Sequence, residues 1–161
     1  MRIIHVFVLL LLGVAACAAT PIKGLLERID KGASRKFIIE QTNAPTDFFE
    51  LDQKDDKVVV RGNNYVCIAT GLNWYLKYYA GIHLSWNSMQ AELPEVLPAV
   101  KQKERHETTM KYRYNFNYCT FSYTMAFWDW ERWEKEIDWM ALHGINLPLS
   151  IVGADCVWYH V

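Results

Sequence analysis

The stretch Asp129–Val152, DWERWEKEIDWMALHGINLPLSIV, decides the fold of this chain. Asp129 is an N-cap residue, because its carboxylate can accept from the free backbone N–H groups of a first helical turn. A helix is expected from there to about His143, with Gly144 as the residue past its end, where a left-handed backbone stops it. Trp130, Trp133, Ile137, Met140 and Ala141 recur at helical spacing and are expected to form its buried stripe. Glu131 and Lys135, and likewise Arg132 and Glu136, stand at i, i+4 on what reads as a solvated outer face. Ile145–Val152 reads as an apolar run with one Pro, as expected of a strand buried on both faces. Upstream, Tyr112–Thr124 is rich in Tyr, Phe and Thr, so it begins as a strand and ends as an irregular loop. Strand, helix and strand over about 40 residues make a βαβ unit, the building block of parallel sheets and barrels.

Working outward toward the N-terminus, Glu92–Glu107 breaks the pattern. Pro94 and Pro98 deny it a long helix, and Lys101–Glu107 is strongly polar, so residues 92–111 read as an exposed linker. Ahead of it, residues 20–91 read as a small α+β domain. Ile22, Leu25, Leu26 and Ile29 have the spacing of an amphipathic helix, and Gly32 closes it. Phe37–Ile39, Asp47–Leu51 and Lys57–Arg61 read as strands, the last two joined as a hairpin through Lys54-Asp55-Asp56. A helix follows over about Asn63–Tyr79, with Val66, Thr70, Trp74 and Tyr78 on one stripe. Ile82–Trp86 reads as a short final strand.

The first residues read as an address. Met1-Arg2 is a positive start, Ile3–Leu12 is almost wholly apolar, and Gly13–Ala19 is small, which together make a secretory signal over residues 1–19. Two cleavage patterns overlap there. Ala16-Cys17-Ala18 fits ordinary signal peptidase, while Val14-Ala15-Ala16-Cys17 resembles a bacterial lipobox, in which an acylated Cys17 attaches the mature chain to a membrane. The lipobox is the preferred reading of the two. Either way the protein is expected outside the cytoplasm: periplasmic, on the cell surface or secreted.

Composition narrows the function classes. The 161 residues carry 17 Lys+Arg against 18 Asp+Glu. That balance offers no basic stripe for nucleic acid. With 52% hydrophobic and 22% charged residues the chain is not disordered. Four Cys are too few for a disulfide scaffold. The length does not accommodate a complete (β/α)₈ barrel, which takes roughly 250 residues. Aromatic residues make up 14%, and five of the seven Trp lie between Trp128 and Trp158.

In parallel α/β folds, ligands meet the carboxyl ends of the strands. Here that selects Asn117 and Cys119 after the first strand, and Gly153 and Asp155 after the second. An Asn side chain both donates and accepts toward a sugar or amide. Tyr118, Phe121, Tyr123, Phe127 and Trp128 offer flat surfaces for a pyranose ring, although core packing is the commoner use of such residues. Cys119 has no His close in sequence to activate it, so it reads as an inert thiol rather than a nucleophile. Asp155 is also a helix-cap candidate. His83, His106, His143 and His160 lack metal-ligand spacing, so neither metal nor cofactor is expected. GxGxxG, GxxxxGK[ST] and GxSxG are absent, which leaves nucleotide binding and serine hydrolysis without support.

The string Tyr112–Tyr123, YRYNFNYCTFSY, followed by Trp128–Asn146, WDWERWEKEIDWMALHGIN, closely resembles the alpha-N-acetylglucosaminidase family, the family 89 glycoside hydrolases. Val58-Val59-Val60-Arg61-Gly62 and the helix ending before Gly81 look like that family's small N-terminal domain. The resemblance implies an α/β fold: a small α+β domain followed, over residues 112–161, by the first βαβ portion of an incomplete (β/α)₈ barrel. It implies removal of terminal, non-reducing, alpha-linked N-acetylglucosamine with retention, by two Glu carboxylates on later barrel strands. Those strands lie past Val161, so this stretch alone is expected to be inactive, with no catalytic residue of its own. By the resemblance Asn117 and Cys119 match residues lining the N-acetylglucosamine pocket, and Gly153 matches the glycine after the second strand. Asp155 departs from the family, where Glu is usual. A stand-alone carbohydrate-binding or interaction module is the competing expectation.

Overall fold

A computed structural model of the chain describes residues 21–151 and 153–161. The signal and Cys17 readings lie outside the described residues. Helix α1 (Pro21–Ile29) turns Ile22, Leu25, Leu26 and Ile29 inward, as their spacing requires. Strands β1 (Phe37–Gln41), β2 (Asp47–Lys54) and β3 (Lys57–Gly62) follow. The β2–β3 hairpin closes on Asp55 at φ 53, a left-handed conformation that Asp tolerates better than most residues. β1 pairs with β3 in parallel, so the connection from β1 to β2 passes over β3.

Helix α2 (Tyr65–Tyr78) begins on Asn64, whose side chain accepts from the backbone N–H of Cys67 at 2.9 Å. It packs across β2 and β3, burying Ile68, Leu72, Tyr75 and Leu76 completely. Burying such side chains contributes about 1.5–3 kcal/mol each. The approach is closest at Gly71: a Cβ there would meet Val60 at 3.0 Å and Phe49 at 3.1 Å.

Three local readings change in this part. Ile82–Trp86 forms no strand, only an isolated bridge between Ser85 and Ser88. The segment read as an exposed linker is a strap on the core, with Leu93, Leu97 and Val100 buried beside α1 and α2. The backbone N–H of Leu93 donates to Asp30 at 3.0 Å, and Tyr75 Oη donates to the Pro98 carbonyl at 2.6 Å. The prolines do suppress a helix, yet single apolar residues between them still fill the core. The polar end of the same segment is β4 (Glu104–Thr108), antiparallel to β2, in a sheet of order β1-β3-β2-β4. Its charge fits an edge strand, which polar side chains protect from further pairing.

Beyond the sheet, β5 (Tyr114–Asn115) and β6 (Leu147–Pro148) pair in parallel around α4 (Trp130–Leu142), so the expected βαβ unit is present. Asp129 caps α4 by accepting from the Arg132 N–H at 2.9 Å. Gly144, at φ 76, ends it against Thr70, whose Oγ1 would lie 3.2 Å from an added Cβ. The loop after β5 instead contains a short helix, α3 (Tyr118–Ser122), and α5 (Ala154–His160) closes the described chain.

The burial of α4 departs from its expected stripe. Of the five residues, Met140 is buried, Trp133 and Ala141 are half-buried, and Trp130 and Ile137 are exposed. Glu136, read as solvated, is 2% exposed, and Asp138 is also buried. The reason is a second neighbour: α4 lies on α2 and the small domain, which meet its carboxylates with partners of their own. Within the described residues 145–151 of the expected second strand, the ladder to β5 covers Leu147 and Pro148, both exposed.

Candidate functional site

The parallel pairing of β5 with β6 sets both strand carboxyl ends on one side. Asn117, Cys119 and Gly153 all follow those ends, as their sequence positions require. Phe116 takes φ 73 at the exit of β5, a costly conformation for a bulky residue. Its ring is held edge-on by Phe121 and Trp133, with centroids at 6.0 and 6.3 Å.

Asn117 then caps α3. Its Oδ1 accepts from the N–H groups of Cys119 at 3.0 Å and Thr120 at 3.2 Å. The acceptor half of the side chain is therefore engaged by the backbone, while no partner among the described residues meets its Nδ2. That leaves an amide donor for a ligand carbonyl or hydroxyl. Cys119 is exposed, on the first turn of α3. Gly153 caps α5 in the left-handed region at φ 79, with nothing within 4 Å of where a Cβ would stand. Its requirement is thus conformational. Among the described residues no hydrogen bond links Gly153 to Asn117 or Cys119. Asp155 lies in α5.

The aromatic candidates divide. Phe121 stacks on Trp133 at 6.2 Å, and Trp128 packs edge-on to Trp133 at 5.0 Å. The face of Trp128 carries the Arg132 guanidinium 3.9 Å from its centroid, and Arg132 also lies over Trp86 at 4.8 Å. Trp128 is therefore part of a latch to the small domain, with its face already covered. Tyr118, Tyr123 and Phe127 stay exposed beside the strand ends.

Sequence reading missed two residues that hold this region in place. Glu136 accepts from Trp86 Nε1 at 2.6 Å and from Arg132 at 2.9 Å. Arg113, immediately before β5, donates to the Gly144 carbonyl, to the Met110 carbonyl at 2.7 Å and to Asp47 of β2 at 2.6 Å. Neither had a signal beyond a charge inside an aromatic stretch. At Asp47, burial raises the carboxyl pKa, but hydrogen bonds from Asn63 and Arg113 and the Arg113 charge outweigh it, so the carboxyl sits below its ordinary value. Next to them, burial and the Asp47 charge push the Cys67 thiol up to about 11. Asp47, Cys67 and Arg113 line a cavity of about 210 Å³ that also touches His106 and His143.

The described residues thus form an α/β protein: a small mixed sheet with its helices lies beside a parallel β5–α4–β6 unit, with polar and aromatic residues after the strand carboxyl ends. Residues 20–99 match the alpha-N-acetylglucosaminidase (NAGLU) N-terminal domain, and residues 113–161 match the alpha-N-acetylglucosaminidase (NAGLU) tim-barrel domain. The chain belongs to the alpha-N-acetylglucosaminidase family.

Human alpha-N-acetylglucosaminidase is 48% identical over 105 residues, which are 65% of this chain and 14% of that protein. The family 89 glycoside hydrolase from Clostridium perfringens, in complex with PUGNAc, is 39% identical with a TM-score of 0.78, covering 85% of this chain and 16% of that one. A variant of the family 89 enzyme from the same organism, with two glutamates changed to glutamine, in complex with its substrate GlcNAc-alpha-1,4-galactose, gives a TM-score of 0.77 at the same identity and coverage. The chain thus spans about a seventh of the length of these relatives.

Proposed function

We propose that this chain carries the small N-terminal domain and the first βαβ portion of the catalytic barrel of a retaining alpha-N-acetylglucosaminidase. Its substrate would be a glycan ending in non-reducing, alpha-linked N-acetylglucosamine. The observation that carries the reading is the tandem match, domain after domain and in the same order, joined to a parallel β5–α4–β6 unit. The substrate class is that of the C. perfringens relative.

Retention needs two carboxylates roughly 5 Å apart, one serving as acid/base and one as nucleophile. In this reading both belong to barrel strands past Val161, and the present residues build one wall of the sugar pocket. Asn117 Nδ2 would donate to the substrate, Cys119 would line the pocket, and Gly153 would set the turn into α5. The 161 residues alone would not turn over substrate. The protein would act outside the cytoplasm, after signal cleavage or acylation at Cys17.

A chimera tests the reading. The corresponding N-terminal part of the C. perfringens enzyme is replaced by residues 20–161, and hydrolysis of GlcNAc-alpha-1,4-galactose is followed. Activity is expected in the chimera and none in the isolated chain. A folded but inactive chimera, or turnover by the isolated chain, overturns it.

The exposed rings of Tyr118, Tyr123 and Phe127 favour a second reading, a stand-alone carbohydrate-binding or interaction module. It requires saturable binding of N-acetylglucosamine by the isolated chain, lost in Tyr123→Ala.

A further inference from the structure

Arg113 sits where three separate pieces of chain meet. Its guanidinium donates to Asp47 on β2 of the small sheet, to the Met110 carbonyl leading out of that sheet, and to the Gly144 carbonyl in the turn after α4. Its backbone is engaged as fully. The N–H donates to Asn146 Oδ1 at 2.8 Å, and the carbonyl accepts from Asn146 at 3.1 Å and from Leu147 at 3.2 Å. Asn146 completes the knot by donating its Nδ2 to the Lys111 carbonyl at 3.0 Å. The side chains of Arg113 and Asp47 are 17% and 21% exposed, so water competes weakly for either.

The strands that follow are too short to fix themselves. β5 and β6 pair through two residues each, with one further bond from the Leu149 N–H to the Asn115 carbonyl at 3.0 Å. A two-residue ladder does not define a register, and a slip of one residue would turn every side chain of β5 to the other face. The strained Phe116 and the cap at Asn117 come directly after it. Phe116 and Phe121 anchor this stretch to Trp133 on its far side, and Arg113 ties down its near side, at the entry to β5.

We propose that Arg113 is a positioning residue through which the small domain, by way of Asp47, sets the register of β5 and hence the placement of Asn117 and Cys119. For its bearing on the sugar pocket the inference rests on the proposed function; for the geometry it stands by itself. Arginine is suited to the task because its planar fork addresses several acceptors at once, whereas a lysine ammonium at the same place cannot hold all three.

The test is amide hydrogen exchange and ¹H–¹⁵N spectra of the whole chain carrying Arg113→Ala, Arg113→Lys or Asp47→Asn. In Arg113→Ala, exchange at Leu147, Leu149, Cys119 and Thr120 is expected to quicken about tenfold or more through local opening. Val58–Val60 should keep their wild-type rates. The Cys119 and Thr120 amide resonances should shift, although neither residue is hydrogen-bonded to Arg113. Arg113→Lys should restore part of the protection, and Asp47→Asn should give the smaller version of the same pattern. Wild-type exchange at Cys119 and Thr120 in Arg113→Ala overturns the inference. So does parallel quickening of Val58–Val60 in both Arg113 variants, which would mean general loss of stability. An inactive chimera would remove the glycosidase reading and leave these rates as they are.

Discussion

Helices α2 and α4 lie against each other, yet they bury different chemistry. α2 buries Ile68, Leu72, Tyr75 and Leu76 against a sheet, where area removed from water is the stabilising term. α4 buries Met140 and Leu142 together with Glu136 and Asp138, and leaves Trp130 and Ile137 in solvent. Each buried carboxylate has a designated partner: Glu136 has Trp86 and Arg132, and Asp138 has Arg28 through bonds of 2.6 and 2.7 Å. The lesson concerns direction. A small apolar core is indifferent to which neighbour supplies the area, whereas paired carboxylates fix the rotation of α4 about its own axis. That rotation leaves Trp130 and Ile137 in solvent while Trp133 packs against Phe121 and Trp128.

The strongest way to break this contrast is Leu72→Ala in α2. It leaves a cavity in a fully buried site, and a loss of about 2–5 kcal/mol is expected in chemical denaturation followed by circular dichroism. Glu136→Ala should cost less, about 1–3 kcal/mol, by leaving Trp86 Nε1 and Arg132 without their acceptor. Replacing Glu136 and Arg132 together by Leu and Met should recover much of that loss, because no charge is then stranded. A double variant no better than Glu136→Ala would show that the carboxylate acts by something other than pairing.

Next in size is the Asp47–Arg113 pair, which joins the two regions. Asp47→Asn is expected to cost about 1 kcal/mol at neutral pH. The folded-state pKa of Asp47 is lowered, so its contribution is present above the unfolded value of about 3.9 and is lost as pH falls through the folded one. The gap between wild type and Asp47→Asn should therefore narrow as pH drops below about 4. A gap that stays constant down to the acid transition would mean that the ionised carboxylate contributes nothing.

The same contrast explains what could be read in the sequence. The α1 stripe, the β2–β3 hairpin, the helix read over about Asn63–Tyr79 and the Asp129 cap of α4 were all legible, because each follows from local spacing or a cap beside its own element. The strap with Leu93, Leu97 and Val100 was hidden, since isolated apolar residues between prolines have no period. β4 was hidden because an edge strand is written in charged residues. The rotation of α4 was hidden because its carboxylates have partners at Arg28 and Trp86, far away in sequence. Asn117, Cys119 and Gly153 were found by their place after strand ends, but the role of Asn117 as a cap and of Trp128 as a latch depends on contacts that spacing does not encode. Arg113 had no local signal, since Asp47, Met110 and Gly144 meet only in the folded chain.

The smallest expected effect isolates burial itself. Arg132–Glu136 and Lys135–Glu131 are both i, i+4 pairs within α4, at 2.9 and 3.1 Å, so their spacing along the helix is the same. The order differs, since the glutamate leads in Glu131–Lys135 and follows in Arg132–Glu136, and that by itself favours the exposed pair. Their surroundings differ in the opposite sense. The Glu136 side chain is 2% exposed, whereas Glu131 and Lys135 are 77% and 54% exposed. An exposed pair of this kind gains little over its hydrated ions and is screened by salt, so Lys135→Ala should cost about 0.3–0.5 kcal/mol and less in molar salt. A double-mutant cycle at each pair, run at low and high salt, gives the two coupling energies directly. Coupling at Arg132–Glu136 should be the larger and should persist in salt, since Trp86 and Trp128 cover the guanidinium. Equal, salt-sensitive couplings would mean that the latch on α4 is held by helix geometry alone, and the burial of its carboxylates would lose its explanatory place.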